Sequence, residues 1–326
     1  MNTYFGLCVA LCLGTFSLAL FPGLVVAEAV AGLLRLGRRR PHSPFQLFSL
    51  RIFPFAFSTA VTLALALPAF LSLEPRQTEE VPELYLIVLT AVSLILLVII
   101  AVRLLRLLIS TARLALHWQQ NATRANLTAS MPVFRITTPP KLFAVVGTFR
   151  PKVFIGKDAF DCLTREELEA AIAHESAHVR SRDNLKRTLL SITTLPRLFR
   201  QLNWLDGAWS EASELAADEE ALRGRSVMDL ISALIKVGRL QVNRTAPLDR
   251  PSVASCHLVS SSEYSPMARR LEHLRHFVEG SQPPLAPPRR QSWTAIILAF
   301  GAVLAYWSAL PMLLPATHML MEVMAK

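Results

Sequence analysis

The stretch His174-Glu175-Ser176-Ala177-His178 decides the fold of the central part of this chain, because residues 164–184 around it favour a helix. Two histidines four positions apart lie on one face of a helix, so both imidazoles can reach one zinc ion. The acid beside the first histidine can then take a proton from a water held by that ion. The alternative, three polar residues on the solvent-exposed face of an amphipathic helix, is disfavoured by the surrounding sequence.

The flanking residues predict the helix start and the elements around it. Thr164 and Glu167 form a capping box at the head of the motif helix. Ser226 and Asp229 give a similar signal for a helix that runs to about Leu240. Short apolar runs separated by proline and glycine predict a small sheet or hairpin upstream, with strands at Val133 to Thr137, Leu142 to Val146 and Lys152 to Ile155.

The chain is 52% hydrophobic and only 18% charged, and its apolar residues are concentrated in blocks. Four blocks carry no Asp, Glu, Lys or Arg: residues 1–27, 52–73, 84–102 and 292–321. Each is long enough to cross a bilayer as a helix, which needs about 20 residues. A single block is equally consistent with a buried core helix, but four blocks separated by charged segments predict membrane helices at about 4–30, 52–73, 84–108 and after residue 291.

Charge asymmetry predicts the orientation of these helices. Basic residues dominate the loop after the first block and the segment after the third, whereas the loop after the second block holds Glu74, Glu79, Glu80 and Glu83 with one arginine, Arg76. By the positive-inside rule the central region is cytoplasmic, and the N- and C-termini lie outside. The net charge of +10 is explained in this way, so no direct nucleic-acid partner is expected.

The resulting fold class is a mainly α integral membrane protein with four transmembrane helices and a cytoplasmic α+β domain between the third and the fourth. Residues 1–117 hold three membrane helices and an extension with a polar stripe from Arg103 to His117. That stripe fits either a helix that continues from the membrane along its interface or the solvated face of an ordinary helix. Residues 118–290 form the cytoplasmic domain, and residues 291–326 hold the fourth helix and a short tail.

A catalytic zinc ion needs a third protein ligand from another element. Residues 210–220 favour a helix, on which Glu214 and Asp218 share one face four positions apart. Glu214 is a candidate ligand, and Asp218 is a candidate hydrogen-bond acceptor for a ligand histidine. Glu211, Glu219 and Glu220 are interpreted as surface acids.

HExxH followed by ExxxD resembles the gluzincin metallopeptidases, in which the Glu of ExxxD is the third zinc ligand. The wider strings, Leu168 to Asn184, Glu214-Leu215-Ala216-Ala217-Asp218-Glu219 and Arg150 to Gly156, are similar to integral-membrane peptidases of the BlaR/MecR type, the antirepressor regulators of bacterial antibiotic resistance. The order of three membrane helices, a domain and a fourth helix also resembles that family. Its receptors carry a penicillin-binding sensor after the last membrane helix, which is not expected here because the sequence stops at Lys326.

The resemblance implies a role for each matching residue. His174, His178 and Glu214 would bind one Zn²⁺, and Glu175 would be the general base. Asp218 and Asp183 would orient the ligands, although Asp183 can equally serve to end its helix. For the oxyanion, the resemblance points to a downstream helix without selecting a residue, and the candidates are His257, Tyr264, His273 and His276.

The expected function is a zinc endopeptidase in the bacterial inner membrane that cuts a cytoplasmic or membrane-proximal protein. The resemblance implies a signalling role with a transcriptional repressor as substrate and, since no sensor domain is expected, a separate sensor protein as a further partner beside the lipid bilayer. Two alternatives stay open: a quality-control protease that clips damaged membrane proteins, and a non-catalytic zinc-binding receptor or scaffold.

Overall fold

A computed structural model of the protein describes residues 2–36, 43–74, 83–125, 131–138, 143–194, 196, 198–242, 255–257, 264–279, 309 and 312–323. Helices dominate, and a small sheet lies between the membrane helices and the motif helix. The helices are α1 (Asn2–Leu36), α2 (Pro44–Val61), α3 (Leu67–Leu73), α4 (Leu84–Gln120), α5 (Lys157–Cys162), α6 (Arg165–Arg180), α7 (Asp183–Ile192), α8 (Arg200–Ala221), α9 (Val227–Val242), α10 (Tyr264–Val278) and α11 (312–323).

Three helical segments of the described chain are long and apolar enough to cross a membrane: Tyr4–Leu36, Pro44–Leu73 and Leu84–Gln120. The second consists of α2 and α3, joined through a π-helical turn at Thr62–Ala66. Helices are therefore present at the three predicted positions, and each is longer than predicted. Of the fourth predicted membrane helix, residues 292–308 lie outside the described residues, while 312–323 are helical.

Charged residues next to the apolar blocks account for the greater length, because they continue the helices. The prediction placed Arg35 and Arg51 in the loop between the first two helices, and this is wrong: Arg35 lies in α1, and Arg51 lies in α2 with its side chain fully buried. The segment from Arg103 to His117 is part of α4, which runs unbroken to Gln120. Of the two interpretations of its polar stripe, the structure shows the continuous helix.

The sheet has five strands in the order β1-β2-β4-β3-β5, with β2 and β4 parallel and the other pairs antiparallel. The strands are β1 (Ala122–Arg124), β2 (Val133–Ile136), β3 (Phe143–Val146), β4 (Lys152–Gly156) and β5 (Ser255–His257). The three predicted strands are found to within one residue at each end. The two edge strands, β1 and β5, were not predicted, because each has three residues and no apolar alternation.

Alternation along the strands divides the sheet between two helical layers. Phe143 and Val145 face a core formed with α6 and α9, whereas Val146 and Phe154 face the last turns of α4 around Trp118. The third membrane helix thus serves as the second layer of the sheet. A further core joins the bundle to the domain, where apolar residues of α1 and α2 pack against α7 and α8.

Candidate metal centre

The motif helix α6 is specified by residues next to it in the chain. The Thr164 hydroxyl accepts a hydrogen bond from the backbone N–H of Glu167 (3.3 Å), and the Glu167 carboxylate accepts one from the backbone N–H of Thr164 (2.8 Å). The capping box predicted from the sequence is therefore confirmed. Lys236 of α9 donates to both oxygens of Glu167 at 2.7 Å, which fixes the start of α6 against its neighbour. His174 and His178 follow on the buried side of α6, with ring centroids 4.8 Å apart.

The end of α6 differs from the prediction. The helix was expected to run to about Asn184, but it ends at Arg180, and Arg182 adopts a left-handed conformation with φ of 56°. This conformation is uncommon for a residue other than glycine and reverses the chain. Asp183 therefore begins α7 and does not end α6, and its carboxylate lies 2.8 Å from Nδ1 of His178. Asn184 donates to the backbone carbonyl of Gly147 at 2.9 Å, which joins α7 to the loop after β3.

Helix α8 brings the two predicted acids to the histidines. Asp218 is fully buried, and its Oδ1 lies 2.9 Å from Nδ1 of His174. Glu214, one turn earlier, places its carboxylate oxygens 3.5 Å from Nε2 of His174 and 3.6 Å from Nε2 of His178. The structure therefore brings together all the residues predicted for the metal site, from α6, α7 and α8.

The spacing of the three candidate ligands suits a tetrahedral ion. The Nε2 atoms of His174 and His178 are 3.2 Å apart, and together with the nearest oxygen of Glu214 they form a group within 4.8 Å. Bonds of about 2.0–2.1 Å at tetrahedral angles separate ligand atoms by about 3.3 Å. Two nitrogens and a carboxylate oxygen are ligands that zinc accepts. The residues present therefore fit a zinc ion.

Hydrogen bonding orients both imidazoles for metal binding. When Nδ1–H of a histidine donates to a carboxylate, the neutral ring keeps its lone pair on Nε2. Asp218 and Asp183 take this position at His174 and His178, so the two lone pairs point toward one another across 3.2 Å. That arrangement is favourable only when a cation lies between them.

The electrostatics of the site also favour a cation. Burial alone would raise the pKa of Glu214, but the neighbouring histidines and Arg270 hold it well below the ordinary value. Burial likewise opposes ionisation of Asp218, and the charges of Arg270 and His174 lower its pKa. Both carboxylates are therefore ionised and available to a metal and its histidine ligands near neutral pH.

Glu175 stands apart from this network. It is fully buried, and neither carboxylate oxygen accepts a hydrogen bond from any residue that the structure describes. Burial raises the pKa of Glu175, and the nearby histidines oppose this shift only in part. An unpartnered buried carboxylate is costly and commonly marks a functional group. A raised pKa suits a group that both accepts and donates a proton near neutral pH.

Arg270 of α10 is a site residue for which the sequence analysis proposed no role. It is buried and binds Asp218 with two hydrogen bonds, of 2.6 and 2.8 Å, and its Nη1 lies 3.1 Å from Glu214. Arg187 of α7 donates to the other oxygen of Glu214 at 3.2 Å. The sequence marked neither arginine, because each is one basic residue on a helix and its partner lies 27 to 56 positions away.

The oxyanion candidates are not brought into the site by any described contact. His273 lies on α10 and pairs with Glu219 at 3.0 Å, and His276 lies on the same helix. Strand β5 ends at His257 and α10 begins at Tyr264, but their side chains lie outside the described part of the structure. No oxyanion residue is assigned.

The other acids of α8 lie on its part-exposed side, as the sequence indicated. Each pairs with a basic side chain: Glu211 with Arg269, Glu219 with His273, and Glu220 with Arg223. Part-exposed pairs of this kind contribute little to stability. They are distinct from the buried pair of Asp218 and Arg270.

Comparison with known proteins gives one match. The model of peptidase family M48 matches residues 109–246, from within α4 to just beyond α9. A search of curated proteins found no match. The matched segment holds every candidate residue of the site from α6, α7 and α8. The match, with a site whose residues fit a metal ion, supports a membrane-associated metallopeptidase of family M48.

Proposed function

We propose that the protein is a zinc-dependent endopeptidase, in which His174, His178 and Glu214 bind one Zn²⁺ ion and Glu175 acts as general base. The observation that carries this proposal is the convergence of three ligand atoms at tetrahedral spacing. An unpaired carboxylate follows the first histidine directly. The M48 match supports the same chemistry.

The protein's own residues supply binding, orientation and proton transfer. A zinc ion held there would make a bound water acidic and polarise the scissile carbonyl. Glu175 takes a proton from the water and later gives it to the leaving amine. Its raised pKa makes both transfers accessible near neutral pH. Asp218 and Asp183 keep the histidine lone pairs on Nε2, and Arg270 holds Asp218 in place.

The proposed substrate is a cytoplasmic or membrane-proximal protein. The positive-inside rule places the catalytic domain in the cytoplasm and the N- and C-termini outside the inner membrane. The sequence resemblance to the BlaR/MecR type favours a regulatory substrate, such as a transcriptional repressor, and a separate sensor protein as partner. This narrower assignment rests on resemblance alone, since family likeness does not define a substrate.

Two other functions use the same site. A quality-control protease would cleave many damaged membrane proteins, and a receptor or scaffold would bind zinc without cleaving any protein. The unpaired Glu175 argues against the scaffold, because a structural zinc site has no use for a buried carboxylate that accepts no hydrogen bond from the described residues. The substrate range separates the two proteases.

The test compares new protein N-termini in cells that express the wild type, Glu175→Gln or Glu169→Gln. Glu169 lies on the exposed side of the same helix, so the third variant controls for the substitution itself. One or a few cleavage sites that need Glu175 but tolerate loss of Glu169 would support a regulatory protease. Many scattered sites would favour quality control. Identical N-termini in all three, with zinc still bound, would contradict the proposed peptidase.

A further inference from the structure

Two helices of the metal site lack end caps of their own. Helix α8, which carries Glu214 and Asp218, begins after Phe199, whose side chain makes no capping hydrogen bond, and its first turn has no acid. Helix α7, which begins with Asp183, has no basic residue in its last turn. Helix ends leave unpaired backbone N–H and C=O groups that need partners when they are buried. The partners here come from the membrane helices.

Glu28 of α1 caps the start of α8. Its two carboxylate oxygens accept hydrogen bonds from the backbone N–H groups of Gln201 and Leu202, each at 2.9 Å. Arg35, two turns further along α1, donates to the side chain of Gln201 at 3.2 Å. A carboxylate at this place satisfies two free donors and complements the positive end of the helix dipole. A residue of a membrane helix therefore does what an N-cap residue normally does.

Arginines of α2 and α4 cap the end of α7. Arg51 is fully buried, donates to the carbonyl of Thr193 at 2.9 Å, and pairs with Asp206 of α8 at the same distance. Arg103 donates to the carbonyls of Ile192 and Thr194 at 3.3 and 2.9 Å. Cations complement the negative end of a helix dipole. Each membrane helix thus supplies a charge of the sign that the adjacent helix end requires.

Apolar packing makes this contact a fixed one. Around the charged residues, Leu24 and Ala27 of α1 pack in one core with Leu202, Leu205 and Trp209 of α8. Rigid helices transmit the position of one end to the other, and the capped start of α8 lies about 18 Å from Glu214 at 1.5 Å per residue. The bundle therefore sets where α8 stands relative to α6, which has its own cap.

We infer that Glu28, Arg51 and Arg103 are positioning residues of the metal site: the membrane helices hold the ends of α7 and α8 and so set the distance from Glu214 to the two histidines. This inference rests on the proposed function, because it assumes that the three ligands bind an ion. The membrane helices then form part of the scaffold of the metal site as well as an anchor. Residues 118–290 alone would lack three of the charges that hold the site.

The test measures zinc affinity and ligand geometry in the purified full-length chain. Zinc dissociation constants from competition with a chelator, and the visible spectrum of the cobalt(II) form, are compared for the wild type, Glu28→Gln, Arg103→Gln and Arg103→Lys. Glu28→Gln and Arg103→Gln are expected to raise the zinc dissociation constant at least about fivefold and to change the cobalt spectrum. Arg103→Lys, which keeps the charge and a donor, is expected to restore both.

Two controls separate positioning from general loss of stability. Arg106→Gln changes the same residue type one turn further along α4, where the side chain is exposed and makes no hydrogen bond or ion pair within the described chain. Thr164→Ala weakens the start of α6 without touching α8. Both are expected to keep the wild-type zinc affinity and cobalt spectrum.

Wild-type affinity and spectrum in folded Glu28→Gln and Arg103→Gln would overturn the positioning role and leave the proposed function intact. Failure of the wild-type chain to bind zinc would overturn the proposed metal site and this inference with it. Arg103 is exposed, so its variants remain informative if Glu28→Gln does not fold. A zinc affinity lowered equally by Thr164→Ala would also contradict positioning, because lost stability would then account for the effect.

Discussion

Helices α6 and α8 both supply residues of the metal site, but different parts of the chain hold them in place. The start of α6 is capped by Thr164 and Glu167, which are its immediate neighbours. The start of α8 is capped by Glu28, which lies 173 positions before Gln201. Half of the site is thus specified by a local sequence signal, and the other half depends on contacts that form only when the membrane helices and the domain come together.

The largest effect is expected from removing the ligand of α8 while both histidines of α6 remain. Glu214→Gln should weaken zinc binding more than about hundredfold, because two imidazoles without a carboxylate do not complete the site. Glu211→Gln, three residues earlier on the part-exposed side of α8, is the matched control. Zinc content after dialysis is the measurement. Full zinc occupancy in Glu214→Gln would show that α6 binds the ion without α8.

Loss of the buried arginine tests how α8 is held at its other end. Arg270→Met should lower the free energy of unfolding by about 3–5 kcal/mol, because it leaves Asp218 as an unpaired buried carboxylate. The adjacent Arg269 pairs with Glu211 at the surface, so Arg269→Met should cost less than about 1 kcal/mol. Denaturant unfolding monitored by tryptophan fluorescence compares the two variants. Equal stabilities would contradict the central role of the buried pair.

The two histidines allow a direct comparison of orientation from α7 and from α8. Asp183→Asn and Asp218→Asn each remove the carboxylate at Nδ1 of one histidine. Each should raise the zinc dissociation constant about tenfold to hundredfold. Asp218→Asn should also lower the melting temperature of the ion-free protein, since Asp218 is the partner of Arg270. A zinc affinity unchanged by Asp183→Asn would return Asp183 to the role of a helix-terminus residue.

The smallest effect is expected at the local cap of α6. Thr164→Ala removes the hydroxyl that accepts the N–H of Glu167 and should cost about 1 kcal/mol of stability. Zinc affinity should not change, because the cap lies ten residues before His174. Thr164→Ser keeps the hydroxyl and should retain most of the stability. A loss of zinc affinity in Thr164→Ala would show that α6 is as dependent on its end as α8.

The same contrast explains how much of the fold and site the sequence could predict. The metal-binding pair of α6, its cap and the three inner strands follow from residues close together in the chain, and the structure agrees with them. Glu214 and Asp218 were found because they share a helix face and because ExxxD resembles a known pattern. In each case a regular spacing carried the information.

Residues whose role depends on distant partners could not be recognised in this way. Arg51 read as a loop residue that sets membrane orientation, yet it is buried between α2 and the end of α7. Arg270 read as one basic residue on a helix, and its partner Asp218 lies 52 positions away. The break at Arg182 was also missed, because no glycine or proline marks it. A side chain's partner across the fold is not encoded in its own neighbourhood.

The most direct test of the central claim is X-ray absorption at the zinc edge of the purified full-length protein. The account predicts one zinc ion with two imidazole nitrogens at about 2.0–2.1 Å and oxygen ligands at about 2.0–2.2 Å. The imidazole signal should fall in His178→Ala, and the oxygen signal should change in Glu214→Gln. Sulfur ligands at about 2.3 Å, or a zinc environment unchanged by both substitutions, would contradict a site built from α6 and α8.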